Sequence, residues 1–158
     1  MNNITVRRAE KKDIQRLFEL LTQICDFHCK GRPDIFCHGQ KYSEDELEEI
    51  LENPKRPVFV AVDSYDAVLG YAFCIHKECL ANPVMKDHLT IYIDDLCVDE
   101  KCRGMGLGKT LFEAVKSYAL SVGAYNIDLN VWEFPGSATG FYEQLGMKTE
   151  RRYMEFIL

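Results

Sequence analysis

The sequence predicts a single mixed α/β domain, and three observations carry that prediction. Short alternating or continuous apolar runs take turns with stripes at helical spacing, in the order β-α-α-β-β-β-α-β-α-β. No internal repeat, linker or low-complexity tract interrupts them. A chain of 158 residues, 47% of them hydrophobic, is long enough to bury one proper core.

Each element has its own signal. ITVRRA alternates and reads as a first strand. Ile14, Leu17, Phe18, Leu21, Ile24 and Cys25 recur at helical spacing and predict an amphipathic helix. HCKGRPDIFCHGQKY is broken by glycine and proline and predicts a loop. Ser43 and Glu46 stand as a capping box ahead of a short apolar face, Leu47, Ile50 and Leu51, so SEDELEEILEN predicts a second helix. PVFVAVD and AVLGYAFCI read as antiparallel strands joined by the turn SYD, and HLTIYIDDLCVD as a longer strand. After RGMGLG, the stripe Leu107, Leu111, Val115, Ala119 and Val122 predicts a helix ending near Gly123. NIDLNVWE is a further strand, SATGFYEQLG a short helix closed by Gly146, and MKTERRYMEFIL terminal strand or hairpin material.

Composition excludes several function classes. The net charge is −6 with no basic run, which argues against nucleic acid as a partner and favours a cationic one. No apolar run approaches the roughly 20 residues of a membrane span, and MNNITVRRAEKKD has no apolar stretch of the secretory kind. Seven cysteines without a C-x-x-C pair predict a reducing cytoplasm rather than a disulfide framework. Cys25, His28, Cys29, Cys37 and His38 match no zinc spacing, so no metal is expected.

RGMGLGKT, residues 103–110, is the most informative stretch. Gly108, Lys109 and Thr110 match the end of a Walker A loop, but Arg103 stands where its first glycine belongs. A Rossmann fingerprint fails too, because its third glycine would fall at Lys109. What remains is a strand, a short turn and a helix opening on closely spaced glycines. The first N–H groups of such a helix have no internal partner and carry partial positive charge. Gly104, Gly106 and Gly108 would let a pyrophosphate approach that backbone, with Arg103 as a cation beside it.

Two motifs then place the chain beside a known family. Arg103, Gly106 and Gly108 satisfy R-x-x-G-x-G after the strand IDDLCV, and Ala138, Phe141, Tyr142, Gly146 and Met147 satisfy A-x-x-F-Y-x-x-x-G-[FM]. Together they resemble the coenzyme and thiol-side motifs of the GNAT superfamily of N-acetyltransferases. ITVRRAEKKDI and VFVAVDSYDAVLGYAF resemble its first strand and helix and its next two strands, so the likeness spans essentially the whole chain. It implies one GNAT domain over residues 1–158, of the α+β type, with a mixed central sheet, a splayed strand pair and flanking helices. It implies acetyl-CoA as co-substrate and no metal. Leu96, Cys97 and Val98 would pair with the pantetheine arm, and an N–H near Val98 would polarise the thioester carbonyl. Arg103, Gly104, Met105, Gly106, Leu107, Gly108 and Lys109 would hold the pyrophosphate.

The implied reaction is direct attack of a primary amine on a thioester. With a pKa near 10.4, only about one alkylamine in a few thousand is neutral at pH 7. A base and a weak acid are therefore the minimum equipment. The resemblance makes Tyr142 the general acid and puts Asp94 where similar polyamine acetyltransferases carry a glutamate proposed as base. Asp94 is one methylene shorter, which favours a relaying water. Asp95 is its neighbour, so on a regular strand the two carboxylates point to opposite faces and only one reaches the acceptor. Glu133, at the end of a strand facing the cleft, is the rival base.

His28 and Phe36, with Arg32, Pro33 and Asp34, lie in the segment that lines the acceptor pocket in such enzymes, and Asp95 joins them as an acceptor contact. Trp132, Phe134 and Tyr92 are candidates for an apolar wall. Pro135 is a departure, because many relatives carry asparagine there and proline offers neither its amide nor an N–H. The acceptor implied is a small-molecule primary amine, such as a polyamine-like cation. The alternatives are a protein N-terminus or lysine as acceptor, and a weakly catalytic acyl-CoA-binding module. Relatives are often homodimers, and no segment of this chain identifies an interface.

Overall fold

A computed structural model describes residues 3–158. Strands β1 (Thr5–Arg8), β2 (Val58–Val62), β3 (Val68–Cys79), β4 (His88–Val98) and β5 (Asn126–Leu129) form one sheet in that order. All neighbours are antiparallel except β4 and β5, which are parallel. Helices α1 (Ile14–Gly31) and α2 (Glu44–Glu52) cover one face, α3 (Leu107–Ser121) covers the other, and α4 (Thr139–Gln144) follows β5. This is the mixed α/β architecture with helices on both faces that the sequence predicts.

The period of two in β2 explains how one strand serves two cores. Val58, Val60 and Val62 face Leu17, Leu20, Leu21 and Leu47, whereas Phe59 and Ala61 face Leu107, Leu111 and Val115. The capping box of α2 is formed: Glu46 N–H donates to Ser43 Oγ at 3.2 Å, and Ser43 N–H to Glu46 Oε2 at 2.7 Å.

Two features of β4 position the site. Its register with β3 slips between Phe73 and Cys74, so that Phe73 faces Asp95 and Cys74 faces Ile93, leaving Asp94 as an extra residue. The bulge reverses the faces of the strand. Ile91 and Ile93 pack on the α3 side, while Cys97 packs on the α1 side. Second, β4 pairs with β5 only from Thr90 to Ile93, and its outer edge from Asp94 onward is free. This is the splay that the family resemblance implies.

Four boundaries differ from the sequence reading. Strand β3 runs four residues past Ile75 to Cys79, pairing there with His88–Ile91 of β4. Helix α1 continues through His28 to Gly31, because Gly31 is a packing position and not a breaker. A Cβ there would lie 2.5 Å from the ring of Phe134. Strand β5 stops at Leu129, so Asn130–Glu133 is not strand. Residues 148–158 form no strand either, and Tyr153, Met154, Phe156, Ile157 and Leu158 are exposed. Residues of strand propensity still need a partner's ladder, and the four-residue β5 pairs with β4 alone.

Candidate active site

A groove of about 420 Å³ opens where β4 outruns β5. The strand end Leu96, Cys97 and Val98 forms one wall, the turn and first residues of α3 another, and Ala138 and Phe141 a third. Nine of the ten residues predicted to hold coenzyme A line it. The exception is Met105, whose side chain is exposed. Ile24 and Phe27 of α1 also line the groove. Ile24 belongs to the predicted stripe of α1 and Phe27 continues it three residues on, a signal the sequence carried.

The glycines of the turn have two separate jobs. Gly104 and Gly106 have φ of +77° and +80°, a region that favours glycine, and Gly106 caps α3. The first backbone bond of that helix is Thr110 N–H to Gly106 O at 3.0 Å, which leaves the amides of Leu107, Gly108 and Lys109 for a ligand. Gly108 serves packing instead, since a Cβ there would lie 3.0 Å from the Phe141 ring. Helix α1 braces the turn from below. Gln23 Nε2 donates to Val98 O at 3.0 Å, Glu100 N–H donates to Gln23 Oε1 at 3.1 Å, and Arg16 pairs with Asp99.

The bulge gathers an acidic cluster at the other side of the free edge. Lys41 Nζ donates to Asp94 Oδ2 at 3.1 Å and to Asp95 Oδ2 at 3.4 Å. Both carboxylates therefore reach one cation, against the expectation of opposite faces, because the extra residue breaks the alternation. Tyr42 O–H also donates to Asp94, at 2.9 Å. The Asp95 side chain is nearly buried, with 8% exposure. Burial pushes its carboxyl up to about 6, with Lys41 opposing and Asp94 adding to the rise. Burial works against the charge of Lys41, but Asp95 and Asp94 outweigh it and hold its ammonium well above the ordinary range. The buried Tyr71 hydroxyl lies beside Asp95, and burial with the Asp95 charge raises its pKa.

Tyr142 sits on α4, which begins after the turn Phe134–Pro135–Gly136–Ser137. Ser137 N–H donates to Phe134 O at 2.9 Å and Gly136 has φ of +84°, so Pro135 occupies the position a type II turn favours. Backbone stiffness thus stands where the family resemblance implies an asparagine side chain. Burial, with the Asp95 charge adding, raises the Tyr142 phenol, which keeps its proton at neutral pH. Burial and Asp95 likewise push the Cys97 thiol up to about 12. Its S–H points to Leu20 O at 3.6 Å, inside the core.

The segment predicted to line an acceptor pocket takes part in an aromatic stack joining α1 to the segment after β5. His28 stacks on Phe36 at 5.1 Å, Phe36 meets Trp132 edge-on at 5.0 Å, and Phe27 packs on Phe134 at 5.3 Å. Burial, with Lys41 adding, lowers the His28 pKa and favours its neutral form. Tyr92 stands apart from this wall, under Lys77 Nζ at 3.3 Å from its ring centre. Glu133 is exposed beyond the end of β5, not at a strand end. The histidines and cysteines of this region disperse: His38 pairs with Asp26 at 2.5 Å and Cys25 Sγ with Cys37 O at 3.4 Å. Among the described residues no group of three or more His, Cys, Asp or Glu is placed to hold a metal ion, and no helix is long and apolar enough to cross a membrane.

A splayed sheet with a glycine-capped helix at its free edge is the arrangement that the resemblance to the N-acetyltransferases implies. The profile of the Acetyltransferase (GNAT) family matches residues 14–147, and the chain belongs to that family. It is 31% identical over 151 residues to the peptidyl-lysine N-acetyltransferase YjaB of Salmonella typhimurium, covering 94% of this chain and 86% of that protein. A crystal structure of a mutant BH1408 protein from Bacillus halodurans superposes with a TM-score of 0.93, at 33% identity over 98% of this chain and 99% of that one. The glucosamine-6-phosphate N-acetyltransferase of Arabidopsis thaliana shares the fold, with a TM-score of 0.72 at 20% identity over 98% of both chains. The protein is thus an acyltransferase of a family that generally uses acetyl-CoA. The free β4 edge and the three open amides of α3 fit the pantetheine and pyrophosphate of that co-substrate.

Proposed function

We propose that the protein transfers an acetyl group from acetyl-CoA to a primary amine by direct attack, with a small cationic molecule as acceptor. The bulge at Asp94 carries this reading, because it turns two carboxylates onto one cation beside the free strand edge. Acetyl-CoA supplies the activated acyl group. Leu96–Val98 and the α3 amides hold its arm and pyrophosphate, and Tyr142 keeps a proton for the departing sulfur. The base assignment moves from Asp94 to Asp95. A carboxyl near 6 is ionised at neutral pH yet far more basic than an ordinary aspartate, which suits a proton acceptor. Asp94, held by Tyr42 and more exposed, anchors the acceptor's charge. Glu133 takes no part. Cys97, the cysteine of the β4 wall, keeps its proton and turns into the core, so it is no nucleophile for the acyl group, which supports direct transfer. Seven free cysteines support a reducing, cytoplasmic setting.

A lysine side chain on a protein is the second reading, favoured by the name of the Salmonella relative. Both acceptors present a primary ammonium on an alkyl chain. Release of coenzyme A thiol, measured with acetyl-CoA plus either spermidine or a lysine peptide, tests both. Release that rises with spermidine is the expected result. Release with the peptide alone would move the acceptor to proteins, and release with neither would leave a binding module.

A further inference from the structure

We propose that Lys41 is a resident occupant of the acceptor subsite, seated where the acceptor's ammonium binds, and that the acceptor enters by displacing it. The proposal rests on reading Asp94 and Asp95 as the acids that meet the acceptor.

Lys41 brings to these carboxylates what a primary alkylamine would bring: an ammonium at the end of an unbranched four-carbon chain. Its Nζ touches both acids and lies 5.4 Å from the ring centre of Tyr42. Two adjacent carboxylates cannot both ionise cheaply without a cation, so this subsite is built around one positive charge. Among the hydrogen bonds of the described residues, Lys41 alone supplies it: Tyr42 donates a neutral hydroxyl, and His28 is biased toward its neutral form.

The residue is also placed to leave. Lys41 belongs to the stretch between α1 and α2, outside any helix or strand, and its side chain is 38% exposed. A structural tie would be anchored at both ends, whereas here only the acids are fixed, on β4. The exchange conserves charge, since one ammonium replaces another, and so the site selects primary alkylammonium acceptors over neutral or quaternary ones. Tetramethylammonium has no N–H to donate to Asp94 or Asp95.

Pulse labelling with an amine-acylating reagent tests displacement without catalysis. The extent of labelling at Lys41 relative to the exposed Lys86 is read by peptide mass spectrometry. Saturating n-butylammonium is expected to raise the ratio, and tetramethylammonium to leave it unchanged. A ratio unmoved by n-butylammonium overturns the proposal, even if the enzyme acetylates amines normally. The kinetic counterpart is Lys41→Met, which keeps length and removes charge. If Lys41 is seated about nine-tenths of the time, its removal lowers the acceptor KM by about tenfold. The KM for acetyl-CoA stays as in the wild type, while the Tm falls because Asp94 and Asp95 lose their cation. An acceptor KM that rises in Lys41→Met, with the acetyl-CoA KM unchanged, would make Lys41 a binding contact and not an occupant. Failure of any amine to be acetylated would remove the proposed function, while the labelling ratio would still report whether an alkylammonium displaces Lys41.

Discussion

The two halves of the cleft are made of different materials. The half proposed to hold the coenzyme is mainly backbone: a free strand edge, two left-handed glycines and the open amides of α3. The half proposed to take the acceptor is side chains brought from separate elements, Lys41 and Tyr42 from a loop, Asp94 and Asp95 from a bulge, Phe36 and Trp132 from either side of an aromatic stack. Backbone recognition tolerates changes of side chain but not of φ. Side-chain recognition is lost by changing one atom.

The largest effect should come from the acceptor half. Asp95→Asn keeps shape and removes the proton acceptor, and should lower kcat by about a thousandfold, within the usual range for general bases. Its acetyl-CoA Kd, read by calorimetry, should match the wild type; a weakened Kd would mean that the two halves are not separable. Tyr142→Phe is next, with kcat reduced about a hundredfold and an unchanged acceptor KM in steady-state assays. Turnover near the wild-type rate would end its role as acid.

Smaller effects are expected from backbone positions. Gly106→Ala forces a left-handed conformation at a cost of about 1–2 kcal/mol. It should lower the Tm and weaken acetyl-CoA binding while leaving the acceptor KM alone. Gly31→Ala should also lower the Tm but act on the other half of the cleft. Its new methyl drives into the Phe134 ring, overpacking that costs about 1–3 kcal/mol. The acceptor KM should rise with little change in acetyl-CoA binding, a split that steady-state kinetics would show.

The same contrast decides what the sequence revealed. The coenzyme half was legible because its parts are contiguous: Arg103 to Lys109 sit in seven successive positions, with Leu96–Val98 just upstream. The helical stripes and capping box were legible for the same reason, being local patterns. The bulge was not, because a register slip between Phe73 and Cys74 is fixed by pairing and leaves IDDLCV reading as a regular strand. Lys41 lies 53 residues from Asp94 and carries no motif. Gly31 read as a breaker because Phe134, which explains it, is more than a hundred residues away. The expected terminal strand failed because propensity names a strand and says nothing of its partner.

The central claim is that Asp95, poised by burial, takes the acceptor's proton. The pH dependence of kcat/KM for a primary amine, in the wild type and in Asp95→Asn, tests it most directly. A base must be deprotonated to act, so activity should be lost as pH falls through about 6 and be fully present above it. An acceptor that binds as an ammonium titrates near 10.4, far from that limb. The account predicts a unit-slope rise centred near pH 6 in the wild type and none in Asp95→Asn. The same limb in both proteins would contradict it, and would return the base to Asp94 or to water.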